Sequence, residues 1–138
     1  MKLFYSLPIV AVITVAEIAA QGRTPQPTAS QASAFLGTWL FEMTEPPELV
    51  GSSETLRVFE RGGVLAATIQ VGKFPPHDVT GILRDGDLLV LTTTTMLENG
   101  APIWAVVTLK RSGENMLLAQ TMERSRTVKR GTGKKQAE

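Results

Sequence analysis

The sequence predicts an all-β domain, a small antiparallel up-and-down meander of about eight strands that closes into a barrel. Three observations carry that expectation. Short runs rich in Val, Ile, Leu and Thr alternate with glycine-centred turns from Trp39 onward. Asp85-Gly86 and Asn99-Gly100 each join two such runs, and both dipeptides suit a two-residue type I′ turn, whose central residues need positive φ. After the N-terminal segment, no stretch repeats its apolar residues at the helical period of about 3.6. A meander of this kind removes its unpaired edges best by closing on itself; an open two-sheet sandwich is the alternative.

Taken in order, residues 1–20 read as an export signal. Lys2 supplies a positive start, Leu3 to Val15 is almost unbroken apolar, and Ala19-Ala20 offers small residues for cleavage before Gln21. The run is short for a bilayer span, which needs about 20 residues. With no cysteine, a lipidated N-terminal anchor is excluded. The mature protein is expected in a bacterial periplasm or outside the cell, with no stable membrane insertion. Residues 21–34, rich in Pro, Gln, Ser, Thr and Ala, read as a flexible linker. The β-domain is expected over 35–131 and a basic tail over 132–138.

The first strand alternates Trp39, Phe41 and Met43 against Leu40, Glu42 and Thr44, and Pro46-Pro47 stops it. Thr55 to Glu60 and Val64 to Val71 form a hairpin around Arg61-Gly62-Gly63, with Leu65, Ala67, Ile69 and Val71 on one side. Gly72 to Asp78 is an irregular loop. The central meander runs from Val79 to Leu109. Ser112 to Asn115 turns the chain into Met116 to Thr121, and Arg124 to Arg130 reads as the last strand.

Turn geometry sets register, and register sets which side chains share a face. Two-residue loops at 85–86 and 99–100 would place Leu83 opposite Leu88, Gly81 opposite Val90, Met96 opposite Ile103 and Thr94 opposite Ala105. One face then carries Val79, Gly81, Leu83, Leu88, Val90, Thr92, Thr94, Met96, Ile103, Ala105, Val107 and Leu109. It has no charge and is expected to point inward. The opposite face would present Ile82, Leu89, Leu91, Trp104 and Val106 as an apolar patch of the kind that meets a partner.

With 138 residues the chain suits one domain with one core. Its formal charge of +1 gives no overall pull toward nucleic acid. From Arg124 onward, six basic residues face a single acid, Glu138. Such a run reads first as a solvated strand end and second as a contact for a polyanion or an anionic surface. Catalytic patterns are nearly absent. His77 is the sole histidine, and Ser52, Ser53 and Ser112 lack the setting of an activated nucleophile. Asp85 and Asp87 flank a turn glycine, and no phosphate-binding glycine motif is present. A non-catalytic protein with no cofactor and no bound metal is expected.

Gly37-Thr38-Trp39, at the start of the first strand of a small exported meander, resembles the Gly-x-Trp signature of the lipocalin (calycin) group, and most closely its short lipocalin-like bacterial domains. Avidin-type barrels begin similarly. The resemblance implies that Trp39 closes one end of a barrel and packs against a basic residue of the last strand, here Arg126, Lys129 or Arg130, a cation–π contact that physics also favours. Two functions follow as expectations. One is a binding module carrying a small apolar ligand inside the barrel, lined by Trp39, Phe41, Val79, Val90, Thr92, Thr94, Ala105 and Val107. The other is an interaction module working through the Ile82, Leu89, Leu91, Trp104 and Val106 patch, as a homodimer or with another protein.

Overall fold

The computed structural model describes residues 22–96 and 102–137. The fold is all-β. Ten antiparallel strands form one curled sheet: β1 (Arg23–Pro25), β2 (Gly37–Glu45), β3 (Ser53–Arg61), β4 (Val64–Val71), β5 (His77–Asp78), β6 (Gly81–Asp85), β7 (Leu88–Met96), β8 (Pro102–Ser112), β9 (Asn115–Met122) and β10 (Lys129–Lys135). Their order is β1-β6-β7-β8-β9-β10-β2-β3-β4-β5, so the meander returns to its start where β10 pairs with β2. Two short strands beyond the eight expected, β1 and β5, end the sheet.

Those two ends meet along a seam. Residues 77–85 make one wall in two halves, of which β5 pairs with β4 and β6 with β7. The switch falls where Val79 N–H donates to Ala67 O (2.9 Å) and Thr80 N–H donates to Thr92 O (2.9 Å). The segment after β1 bridges the same gap: Gln26 N–H donates to Ile82 O (2.9 Å), and Leu65 N–H donates to Pro27 O (2.8 Å). Single bonds thus link β4 to the other side in place of a continuous ladder, and backbone groups that an open edge would leave exposed find partners.

Tight turns occur where glycines predict them. Gly62 and Gly63 (φ 62° and 85°) join β3 to β4, and Gly113 (φ 60°) joins β8 to β9. At the first meander hairpin Asp85 pairs with Leu88, so Gly86 and Asp87 are the turn residues rather than Asp85 and Gly86. Leu83 therefore faces Val90, and Gly81 faces Thr92. Leu88 and Val90 have the same parity, so this slip leaves the grouping of faces intact.

The second hairpin does not. Met96 pairs with Pro102 and Thr94 with Trp104, which makes the connection five residues, 97–101, instead of two. Asn99-Gly100 lies outside the described residues. The changed loop length moves the pairing by one residue and exchanges the faces of β7 relative to β8. Leu89, Leu91 and Thr93 join Ala105, Val107 and Leu109 inside, while Val90, Thr92 and Thr94 join Trp104 and Val106 outside. In the middle of β7 the observed register buries Leu89, Leu91 and Thr93 where the expected one would have buried Val90, Thr92 and Thr94, which places more apolar surface against Val107 and Leu109.

Inside, Trp39, Phe41 and Met43 of β2 pack with Leu56, Val58, Leu65, Ala67, Leu89, Leu91, Val107, Leu109, Met116 and Leu118. Phe41 and Met43 need room on β10, and glycine provides it. A Cβ on Gly133 would sit 2.6 Å from the Phe41 ring, and one on Gly131 would sit 2.7 Å from Met43 Cε.

The expected linker is part of the core. Residues 23–25 pair with β6, and the 3-10 segment Ser30–Phe35 buries Ala32 and Phe35 (each 1% exposed). Phe35 plugs the Trp39 end of the barrel, and Arg84 stacks over its ring at 4.9 Å. The expected tail also changes role. The last strand is Lys129–Lys135 rather than Arg124 to Arg130, so most of 132–138 is paired strand. Residues 1–20, the expected signal, lie outside the described residues. Among the described residues no helix is long and apolar enough to cross a membrane.

Candidate functional site

The two ends of the barrel differ chemically. At the plugged end Trp39 is fully buried, and its Nε1–H donates to Phe35 O at 3.0 Å, which satisfies the indole. A cation does stack on this ring, as the resemblance implied, but it is Arg111 of β8, 5.1 Å from the ring centre, and not a residue of the last strand. Arg111 is fixed by three carbonyls: Nη1–H donates to Ala34 O (2.5 Å), Nη2–H to Gly113 O (2.7 Å) and Nε–H to Asn115 O (3.1 Å). This arrangement ties β8, the β8–β9 turn and the 3-10 segment to the plug.

At the opposite end, which we call the mouth, the inward row of β3 reads Glu54, Leu56, Val58, and that of β10 reads Lys129, Gly131, Gly133. Glu54 therefore sits at a core position, with 6% of its side chain exposed, and Lys129 Nζ reaches its Oε1 at 2.7 Å. Strand β2 lies between their two strands and places Met43 beside them. The 3-10 turn Pro47–Leu49 and the turn after Val71 complete a cleft of about 480 Å³. Met43, Leu49 and Val71 give it apolar walls, Ser52 and Ser53 line its side, and Glu54, Lys129 and Lys73 are its charged groups.

Such a pair is an unusual use of two core positions. Desolvating both ions offsets most of their attraction, so a buried salt bridge is a poor device for stability compared with two apolar side chains. It does present, side by side, an ammonium and a carboxylate at the edge of an apolar cleft. The sequence carried one visible signal for it: Glu54 shares the parity of Leu56 and Val58. Lys129 was hidden, because the glycines that follow it on its face contribute no hydrophobic alternation.

The residues expected to line a ligand do not form one surface. Trp39, Phe41, Ala105 and Val107 are buried in the core, and Val79 is half-buried against it. Val90, Thr92 and Thr94 lie on the outer face. The expected outer patch is likewise divided. Trp104 (52% exposed) and Val106 (38%) are outside, whereas Leu89 and Leu91 are fully buried and Ile82 packs against the core. The outer face is nonetheless apolar in a different composition. Leu83, Val90, Thr108 and Ala119 make one cross-strand row and Gly81, Thr92, Val106 and Thr121 the next, with no charge in either. Leu117, 43% exposed, borders the first row, and Trp104 the second.

His77 sits in β5 opposite Ile69. Ser52 Oγ donates to Leu49 O at 2.6 Å and so holds a turn. Among the described residues no group of His, Asp and Glu could hold a metal ion. Comparison of the chain with protein-family models, with curated proteins and with solved structures finds no match.

Proposed function

We propose that the protein is a small-molecule binding module whose ligand sits in the mouth cleft rather than deep inside the barrel. The observation that carries this is the Glu54–Lys129 pair at inward-facing positions beside Met43. The space between Trp39 and Met43 is filled by core side chains, which favours the end of the barrel over its interior. The resemblance of Gly37-Thr38-Trp39 to lipocalin-like domains supports a binding role of the same general kind, and export would make the ligand an extracytoplasmic one.

The pair also selects a ligand chemistry. A ligand carboxylate approaching Lys129 would compete with Glu54, and a ligand ammonium approaching Glu54 would compete with Lys129. Either would leave one protein ion without its partner in a partly desolvated place. A neutral head group that both donates and accepts, such as an alcohol or amide, can bond to both ions without separating them. The favoured ligand is therefore a neutral amphiphile, with its apolar part on Met43, Leu49 and Val71. Binding of octanol, octanoate and octylamine to wild type and to Glu54→Gln tests this. Wild type should prefer octanol; in Glu54→Gln the freed ammonium of Lys129 should shift the preference to octanoate. Unchanged order between the two proteins would remove the pair from recognition.

A second reading is favoured by Trp104, whose exposure beside the uncharged rows of the outer sheet face suits protein contact, including self-association. In that case Trp104→Glu should turn a self-associating protein into a folded monomer by sedimentation. A wild type that is monomeric at high concentration would leave only a hetero-partner for this face.

A further inference from the structure

The plugged end carries an excess of unpaired positive charge. Arg57, Arg61, Arg84, Arg111, Lys134 and Lys135 lie toward it, and among the described residues none is in an ion pair. Lys110, also there, is paired with Asp87 at 3.8 Å. Among the described residues, the carboxylates at that end outside an ion pair are Glu60, Asp85 and Glu114. The excess is concentrated in a cleft bounded by Trp39, Arg111, Glu114, Asn115, Lys134 and Lys135, where three cations face one carboxylate. Among the described residues Arg111 is in no ion pair: its three hydrogen-bond partners are backbone carbonyls, which orient the guanidinium and leave its full charge. At the mouth end the charges balance, with Glu42, Glu48 and Glu123 set against Lys73, Arg124 and Arg126, while Asp78 shares a cross-strand row with Arg57.

A second observation gives this end a direction. The chain enters the fold here: Gly86 N–H, in the β6–β7 turn, donates to Gly22 O at 2.8 Å. Gly22, where the described chain begins, therefore lies at the basic end and not at the mouth.

We propose that the plugged end docks on an anionic membrane surface, with Lys134, Lys135 and Arg111 against lipid phosphates and the mouth turned to the aqueous side. The charge is complementary, the cations stand at the rim of a rigid end, and among the described residues Leu117, across from Lys110, is the large apolar side chain most exposed toward it. Adsorption is electrostatic and peripheral. It goes beyond the ligand site at the mouth and is independent of it, since no residue is shared.

The test uses residues 22–138, which contain the whole core, in sedimentation with vesicles of phosphatidylcholine alone or mixed with phosphatidylglycerol. Binding should need phosphatidylglycerol and should be lost at about 0.5 M salt, where screening acts over only a few ångströms. Lys134→Gln with Lys135→Gln should weaken it about 25-fold, near fivefold for each basic charge at the surface. Arg124→Gln with Arg126→Gln, at the mouth end, should leave it within about twofold. A near-UV spectrum of each variant confirms the fold. Equal loss in both pairs would overturn the oriented contact and leave only a net-charge effect. Binding to neutral vesicles, or full displacement by millimolar inorganic phosphate, would overturn it in favour of insertion or of a discrete anion site.

Discussion

Glycine 133 shows how one side chain fixes another. Its missing Cβ is the space into which the Phe41 ring fits, so Gly133→Ala drives an atom to within 2.6 Å of that ring and should cost about 1–3 kcal/mol in a denaturant melt. Gly81→Ala is the comparison, because its Cβ would meet Thr92 at an ordinary 3.6 Å; it should cost well under half as much. The mouth pair makes the opposite kind of prediction. Removing one partner, as in Lys129→Met, leaves the Glu54 carboxylate stranded and should destabilise by about 1–3 kcal/mol, less than for a fully buried pair because Lys129 keeps 19% of its side chain exposed. Glu54→Leu with Lys129→Met should recover most of that loss or exceed wild type. A double variant as unstable as Lys129→Met alone would mean that the pair is a stabilising element.

Among the elements, β2 and β7 show what a sequence pattern can and cannot decide. Strand β2 was legible because Trp39, Phe41 and Met43 alternate with polar or smaller residues, and the face they define is the buried one. Strand β7, Leu-Leu-Val-Leu-Thr-Thr-Thr-Thr-Met, is apolar on both faces over its first half, so its own pattern left the inward face undecided. The decision came from loop length, and Asn99-Gly100 pointed to two residues where the pairing allows five. The N-terminal segment was illegible for a different reason. Its core contributions, Pro27, Ala32 and Phe35, are spread through a polar, Pro-rich stretch with no period. Two consequences can be measured. Phe35→Ala should cost roughly 3–5 kcal/mol, as should Trp39→Ala, since both are large aromatics buried in the plug. Trp104→Ala, at an exposed position, should cost clearly less than either. Equal losses for Trp39 and Trp104 in thermal or denaturant melts would contradict the assignment of faces in β8.

For the molecule as a whole, the all-β class and the order of strands were readable from turns and alternation, while the end proposed to bind ligand was not. A barrel end is assembled from strand termini far apart in sequence: Glu54 and Lys129 are 75 residues apart, and Met43 lies on the strand between theirs in the sheet. No local motif records that meeting. The plugged end was partly legible through Trp39, yet its cation came from β8, because the cation that reaches the ring is set by the β8–β9 turn and not by proximity to the chain terminus. The central claim is that ligand binds at the mouth and not in the interior. Methyl-labelled methionine reports on both places at once, since Met43 lines the mouth cleft and Met116 is buried toward the plug. On titration with octanol, the Met43 methyl resonance should shift in a saturable way while that of Met116 stays fixed. A shift at Met116 equal to or larger than that at Met43, or no saturable shift at Met43, would contradict it.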